Sequence, residues 1–396
     1  MKAVLFAVGA LVWVVLAGLT QAGSMSSPSP APMQEVERRH ETPGRTRLLA
    51  WGANSAGQIG DGTFHSRPEP VLVHVPGAVK GIAAGVQHSL AVLEDGTVWA
   101  WGQNMLGELG DGSTTLRTTP VRVLGLGEAR SVAAGNFHSL ALAQDGTVWA
   151  WGYNREDQPS TGRPFHDLPE PVQELDSVVA IAAGSAWSLA LRKDGTVWAW
   201  GDGANGILGT RDVVATSVPV QVPGLSEITA IAAGWSHALA VRSDGSVWSW
   251  GANTFGQLGS QSTAGSTIPV QIPQLDQAVG VAAGSAHSLA LTSDGRVWAW
   301  GRHGLLPSPS HESGPTTRIA EVQSIGRAQN IAASGEDSLV LKNDGTLWGW
   351  SSGSGYLVNL ELRGLPRFPV PIARGHVLVG LSAGPTHTLA IERHFD

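Results

Sequence analysis

The sequence predicts an all-β fold, a seven-bladed β-propeller with four short antiparallel strands per blade, and three observations lead there. Asp-Gly pairs recur at Asp95, Asp145, Asp194, Asp244, Asp294 and Asp344, a period of 49 or 50 residues. A Trp-Gly or Trp-Ser pair follows each one, at Trp101, Trp151, Trp200, Trp250, Trp300 and Trp350, and one more stands upstream at Trp51, which makes seven. The composition agrees: 51 Gly, 23 Pro and 16 Trp among 396 residues, with only 14% charged, describe many short strands and turns around a large apolar interior.

One period holds four apolar segments of strand length: Pro120 to Val123, Arg130 to Ala134, Ser139 to Leu142, and Val148 to Trp151. The last two are joined through Asp145-Gly146, a pair that tolerates the positive φ of a hairpin turn. Four short antiparallel strands in about 50 residues make one propeller blade. Alternation along the Trp strand puts Trp99 and Trp101 on one side and Val98 and Ala100 on the other, so neither side is polar and both are expected to be buried between neighbouring blades. The indoles of one blade should meet the small Ala and Ser residues of the next. Each buries on the order of 150–250 Å², worth roughly 4–6 kcal/mol at about 25 cal/mol per Å² as an upper bound. Thirteen of the 16 Trp fall at these two repeated positions and belong to the frame.

The ends predict how the ring closes. The last unit stops at Thr386-His387-Thr388-Leu389-Ala390-Ile391, just where its Asp-Gly hairpin should follow, and the segment Arg47 to Gly52 matches the missing Trp strand. Residues 47–52 are therefore expected to pair with 386–392, hiding the edges an open sheet would expose.

Three segments follow from this. Residues 1–22 read as a signal peptide: Met1-Lys2, an apolar run from Ala3 to Leu19, then the small-residue site Thr20-Gln21-Ala22. Residues 23–45 are Pro- and Ser-rich with a charged patch, a disordered linker. Residues 46–396 are the propeller. The expected location is secreted, periplasmic or cell-surface, with a membrane tether only if the signal is not cleaved.

The formal charge of −7 gives no electrostatic footprint for nucleic acid. No Cys is present, which excludes disulfides, thiolate metal sites and a Cys nucleophile.

The unit Ile82-Ala83-Ala84-Gly85-Val86-Gln87-His88-Ser89-Leu90, continuing through Asp95 to Asn104 and on to Gly107-Glu108-Leu109-Gly110, resembles the repeat of the regulator of chromosome condensation family, and the resemblance covers residues 46–396. Kelch repeats have a similar period but carry Gly-Gly doublets, which this chain lacks; WD40 repeats are shorter. Members similar in fold include a nucleotide exchange factor, a plant ultraviolet photoreceptor and bacterial β-lactamase inhibitors, so the resemblance implies the fold more sharply than the function. The exchange factor's basic tail and inserted wedge have no counterpart here. The photoreceptor is similar at Gly234-Trp235-Ser236-His237, in one copy only.

The recurring His88, His138, His237, His287 and His387 sit on separate blades, with Trp187 and Asp337 at the equivalent positions. That arrangement argues against a closed metal sphere; a ring nitrogen bonded to a neighbouring backbone group explains the repetition better. The Asp-Gly pairs lack calcium-loop spacing, and the Gly-Gln-Leu-Gly segments precede no helix. No cofactor, metal or catalytic group is expected, and nothing in the sequence calls for more than a monomer.

Function is sought where blades differ. The two residues between each Gly and the His position are variable and should emerge on one face, where the β-lactamase inhibitors and the photoreceptor make their contacts. From these turns and their flanks Gln87, Asn136, Phe137, Trp187, Trp235, Ser236 and Glu336 are the candidate partner-binding residues. Phe137, Trp187 and Trp235 are expected to form an aromatic patch. A second candidate surface is the drifted loops Tyr153 to His166, Arg302 to Ser313 and Ser351 to Leu360. The leading expectation is a non-catalytic scaffold holding a protein or glycan. Its alternatives are a β-lactamase-inhibitor-like protein, a hydrolase or lyase with a face-loop site, and, least favoured, an exchange factor.

Overall fold

The computed structural model describes residues 6–7, 12–13, 46–153, 165–302, 318–323, 325–352 and 369–394. Seven four-stranded antiparallel sheets form the blades. A separate two-stranded ribbon pairs β1 (Phe6–Ala7) with β2 (Val12–Trp13). The rest of the expected signal peptide and linker lies outside the described residues.

The last blade, blade 7, is shared by the two ends of the propeller. Its strands β3 (Thr46–Gly52) and β4 (Arg67–Val73) come from the N-terminal side. Blade 1 follows, with β5 (Val79–Ala84), β6 (His88–Leu93), β7 (Val98–Gly102) and β8 (Arg117–Arg122) in that order from the channel outward. Strands β9 to β28 repeat this as blades 2 to 6, over residues 129–171, 178–221, 228–272, 278–321 and 328–372. Then β29 (Leu378–Ala383) and β30 (His387–Arg393) complete blade 7.

The closure is the expected one, in continuous register from Thr46↔Arg393 to Gly52↔His387. One boundary differs. The Trp strand is the third of its blade, and the segment beginning near Pro120 is the outermost strand of the preceding blade. The N-terminal side thus contributes two strands to blade 7, so each half of the closing blade is a hairpin with its own turn.

Asp95 shows why the hairpins recur. Its carboxylate accepts from the Thr97 amide at 2.9 Å and the Thr97 hydroxyl at 2.7 Å, while Gly96 takes a φ of 79°. These bonds hold the Asp95 carboxyl below its ordinary pKa. Between blades 1 and 2, Trp151 is buried in one cluster with Ala83, Leu90, Val92, Val98 and Ala100, indole against small and branched residues as expected. The outer Trp of each pair is only half-buried. In blades 3 to 6 cations cover it: Arg192 over Trp198 (5.5 Å), Arg242 over Trp248 (4.6 Å), Arg296 over Trp298 (5.9 Å) and Lys342 over Trp348 (5.5 Å).

Candidate interaction face

The turn from the first to the second strand of each blade is held by a short bond, as in Gly85 N to His88 O at 2.9 Å. These turns gather on one face, around the mouth of the central channel, where they line a cavity of about 60 Å³. Neighbouring turns bond to one another: the Asn136 amide donates to Ser185 O (3.0 Å), Trp235 to Gly284 O (3.1 Å) and Ser285 to Gly335 O (2.9 Å). At Gly85 two things leave no room for a side chain, whereas blade 6, with Asp337 in the His position, carries Ser334 in the Gly position. A Cβ at Gly85 would lie 2.5 Å from the His88 ring and 2.8 Å from Gly135 O of the next blade.

Beneath the turns runs a polar relay between blades. His88 Nε2 is 3.0 Å from Ser139 Oγ, His138 is 3.0 Å from Ser188, His237 is 2.8 Å from Ser288, His287 is 3.0 Å from Ser338, and His387 is 2.7 Å from Ser89. The partner is a serine hydroxyl of the next blade, not the backbone group expected. Ser89, Ser139 and Ser288 each donate their one proton to a loop carbonyl, of Gln58, Glu108 and Gln257 respectively, all at 2.8 Å. The histidines facing them must therefore donate through Nε2–H. Burial keeps the rings neutral, pulling His88 and His387 down to about 3 and His138 and His237 to about 4. Among the described residues no group of three His, Cys, Asp or Glu is arranged to hold a metal ion.

Blade 3 breaks the relay and shows the physics by exception. Trp187 takes the His position, and the serine position of blade 4 is Ala238; both lie in one buried cluster. The hydroxyl and the imidazole disappear together, so neither is left without its partner.

Trp187 is 1% exposed, with its indole nitrogen under Gly184, so it is a core residue and not the surface anchor expected. At the first position of a strand, a large ring in the His slot turns inward, because the next blade supplies only Ala238 to fill that space. The aromatic patch is accordingly not contiguous. Asn136, Phe137 and Trp187 border a cavity of about 640 Å³ between blades 2 and 3, whereas Trp235, 45% exposed, stands at the channel mouth. Gln87, Ser236 and Glu336 are half-buried, and their carbonyls are pinned by the amides of Gln103 (2.8 Å), Ala252 (2.8 Å) and Ser352 (3.1 Å).

Glu336 belongs to a group that the sequence reading did not assemble. Its carboxylate pairs with Arg302 at 3.1 Å, and the Arg302 guanidinium lies 5.6 Å from the Phe255 ring. Three blades meet in this group. Its signal was the position after each Trp-Gly, which varies as Gln103, Tyr153, Asp202, Ala252 and Arg302. The drifted loops fall mostly outside the described residues, at 154–164, 303–317 and 353–368.

The family model of the RCC1-like domain matches residues 43–306. The chain belongs to the RCC1-like domain family. Solved structures of this RCC1-like chain's fold include Prp20p from Saccharomyces cerevisiae, at 25% identity and a TM-score of 0.80, covering 90% of this chain and 93% of that one. The yeast RCC1 (Prp20) bound to Kap60 is similar at 24% identity and a TM-score of 0.80, covering 96% and 97%. Human WBSCR16 is similar at 22% and 0.78, covering 89% and 100%. No curated protein matches the sequence significantly.

Proposed function

We propose that this RCC1-like propeller is a non-catalytic binding scaffold that holds a protein partner on the face formed by its Gly-to-His turns, outside the cytoplasm. The observation that carries this is Trp235: a large indole left 45% exposed at the channel mouth, where the other turns place Val86, Asn136, Ser185, Ser285, Gly335 and Pro385. Exposed Trp and Arg are the residue types enriched at interface hot spots. Arg302, Glu336 and Phe255 supply an Arg–carboxylate pair and its apolar support on blades 4 to 6.

The repeated histidines are engaged within the frame. Five histidines are tied to serines of adjacent blades, and burial holds His88, His138, His237 and His387 neutral, which supports a structural role for the repeated His position. The extracytoplasmic placement rests on the apolar run from Ala3 to Leu19 and the small residues after it.

The test is quantitative affinity capture from the producing cell's envelope with wild type and a Trp235→Ala, Arg302→Ala variant. The variant should lose specific partners while keeping the wild-type melting temperature. Identical captured sets would remove this face from the account. Titration of a β-lactamase panel separates the inhibitor alternative.

A further inference from the structure

We infer that the cavity between blades 2 and 3 is a second binding site, which accepts a peptide turn of the form Gly-x-Leu-Gly from another polypeptide. It stands on observations independent of Trp235.

Four other junctions show what belongs in this space. There the loop after the Trp strand tucks under the next blade, and one of its carbonyls accepts from that blade's inner Trp: Gln58 O from Trp101 (2.8 Å), Glu108 O from Trp151 (2.7 Å), Ile207 O from Trp250 (2.8 Å) and Gln257 O from Trp300 (2.8 Å). At three of them the same carbonyl also accepts the serine hydroxyl of the relay. The tucked segments read Gly-Gln-Ile-Gly, Gly-Glu-Leu-Gly, Gly-Ile-Leu-Gly and Gly-Gln-Leu-Gly, with the third residue fully buried.

The local requirements are strict. The second Gly has φ of 82°, 63°, 71° and 66° in the four segments, and a Cβ there would lie 2.7 to 3.1 Å from the indole nitrogen of the next blade. In three segments the amide of the third residue donates at 2.9 Å to an Asn side chain, Ile59 to Asn54, Leu109 to Asn104 and Leu258 to Asn253. Counted from Gly152, blade 2 carries Pro159 at the third position and Ser160 at the second Gly. Proline has no amide to give, and serine brings the excluded Cβ. The chain's own sequence at this junction thus fails both conditions.

The described wall nevertheless keeps the receiving groups. Ser188 and Trp200 both line the cavity, in the places that Ser139 and Trp151 hold at the previous junction. His138 Nε2 lies 3.0 Å from Ser188 Oγ and, donating as its counterparts do, leaves that hydroxyl proton for an acceptor. Phe137, Tyr153 and Trp187 complete an aromatic lining around about 640 Å³, within the range of about 300–1,000 Å³ usual for ligand sites. A peptide carbonyl held by Ser188 and Trp200, a buried Leu, and a glycine against the indole reproduce what the protein builds elsewhere.

The experiment titrates the full chain calorimetrically with an acetylated, amidated peptide of the sequence of residues 103–112, which fills the neighbouring junction. Saturable binding is expected, weakened about tenfold or more when the peptide's second Gly (position 110) is Ala, and about tenfold by Trp200→Phe, the loss of one hydrogen bond. Trp235→Ala should bind as wild type, which separates this site from the channel-mouth face. The inference is overturned by no saturable binding, by equal binding of the Gly and Ala peptides, by a loss on Trp235→Ala, or by binding that appears only after residues 154–164 are excised, since the chain's own segment would then hold the cavity. If Trp200→Phe does not fold, the peptide substitution decides alone.

Discussion

His387 Nε2 lies 2.7 Å from Ser89 Oγ, so the last blade is latched to the first by the same bond that joins the interior blades. Ser89 passes its own proton to Gln58 O, which also receives the Trp101 indole. Ser89→Ala should therefore leave a buried imidazole donor without an acceptor and cost about 1–3 kcal/mol. Guanidinium unfolding of Ser89→Ala beside Ser139→Ala checks this; equal losses are expected, because both serines do the same work.

Stability should fall as pH drops from about 6.5 toward 4. The folded-state pKa values of His88, His138, His237 and His387 are depressed to about 3 or 4 from an ordinary 6.5, so in that window the unfolded chain binds more protons than the folded one. The stabilisation is complete above the unfolded value and is lost progressively below it, with a slope of at most about 1.4 kcal/mol per pH unit for each His. Melting curves across pH 4 to 7 measure it, and His237→Gln should flatten the slope.

The pair Trp187 and Ala238 should behave as a unit. Ala238→Ser alone buries a hydroxyl against an indole, and Trp187→His alone leaves a cavity and an unpaired ring, each costing about 1–3 kcal/mol. Together they rebuild the relay. A double-mutant cycle should give a favourable coupling of about 1 kcal/mol or more.

Glu108 stands where two other loops have Gln58 and Gln257, and its carboxylate accepts the Leu106 amide at 2.8 Å while buried. Burial raises its pKa, so its ionised form is disfavoured in the fold and works against stability above the unfolded value. Glu108→Gln should raise the melting temperature at pH 7, and the gain should shrink on acidification toward pH 4.

Much of the fold was legible because the signals repeat: Asp-Gly marks the second hairpin, Trp-Gly the third strand, and the truncated last unit the closure. The blade boundary was misplaced since Pro120 to Val123 carries no mark of which neighbour it pairs with; only the bonding of β8 to β7 decides it. The site was less legible. Trp187 and Trp235 look alike as lone aromatics near a turn, but a shift of two positions puts one on the strand, facing the next blade, and the other on the turn, facing solvent. The Arg302–Glu336 pair joins two loops 34 residues apart and has no local pattern at all.

The central claim, that binding occurs on the Gly-to-His turn face around Trp235, is tested most directly by photo-crosslinking in the producing cell. A photoreactive residue is placed at position 235 or at position 377; Val377 is also exposed, but lies against the Asp344–Gly345 hairpin at the other end of the blades. Covalent protein adducts from position 235 and none from position 377 are the predicted result. Adducts from 377 with none from 235 would contradict it.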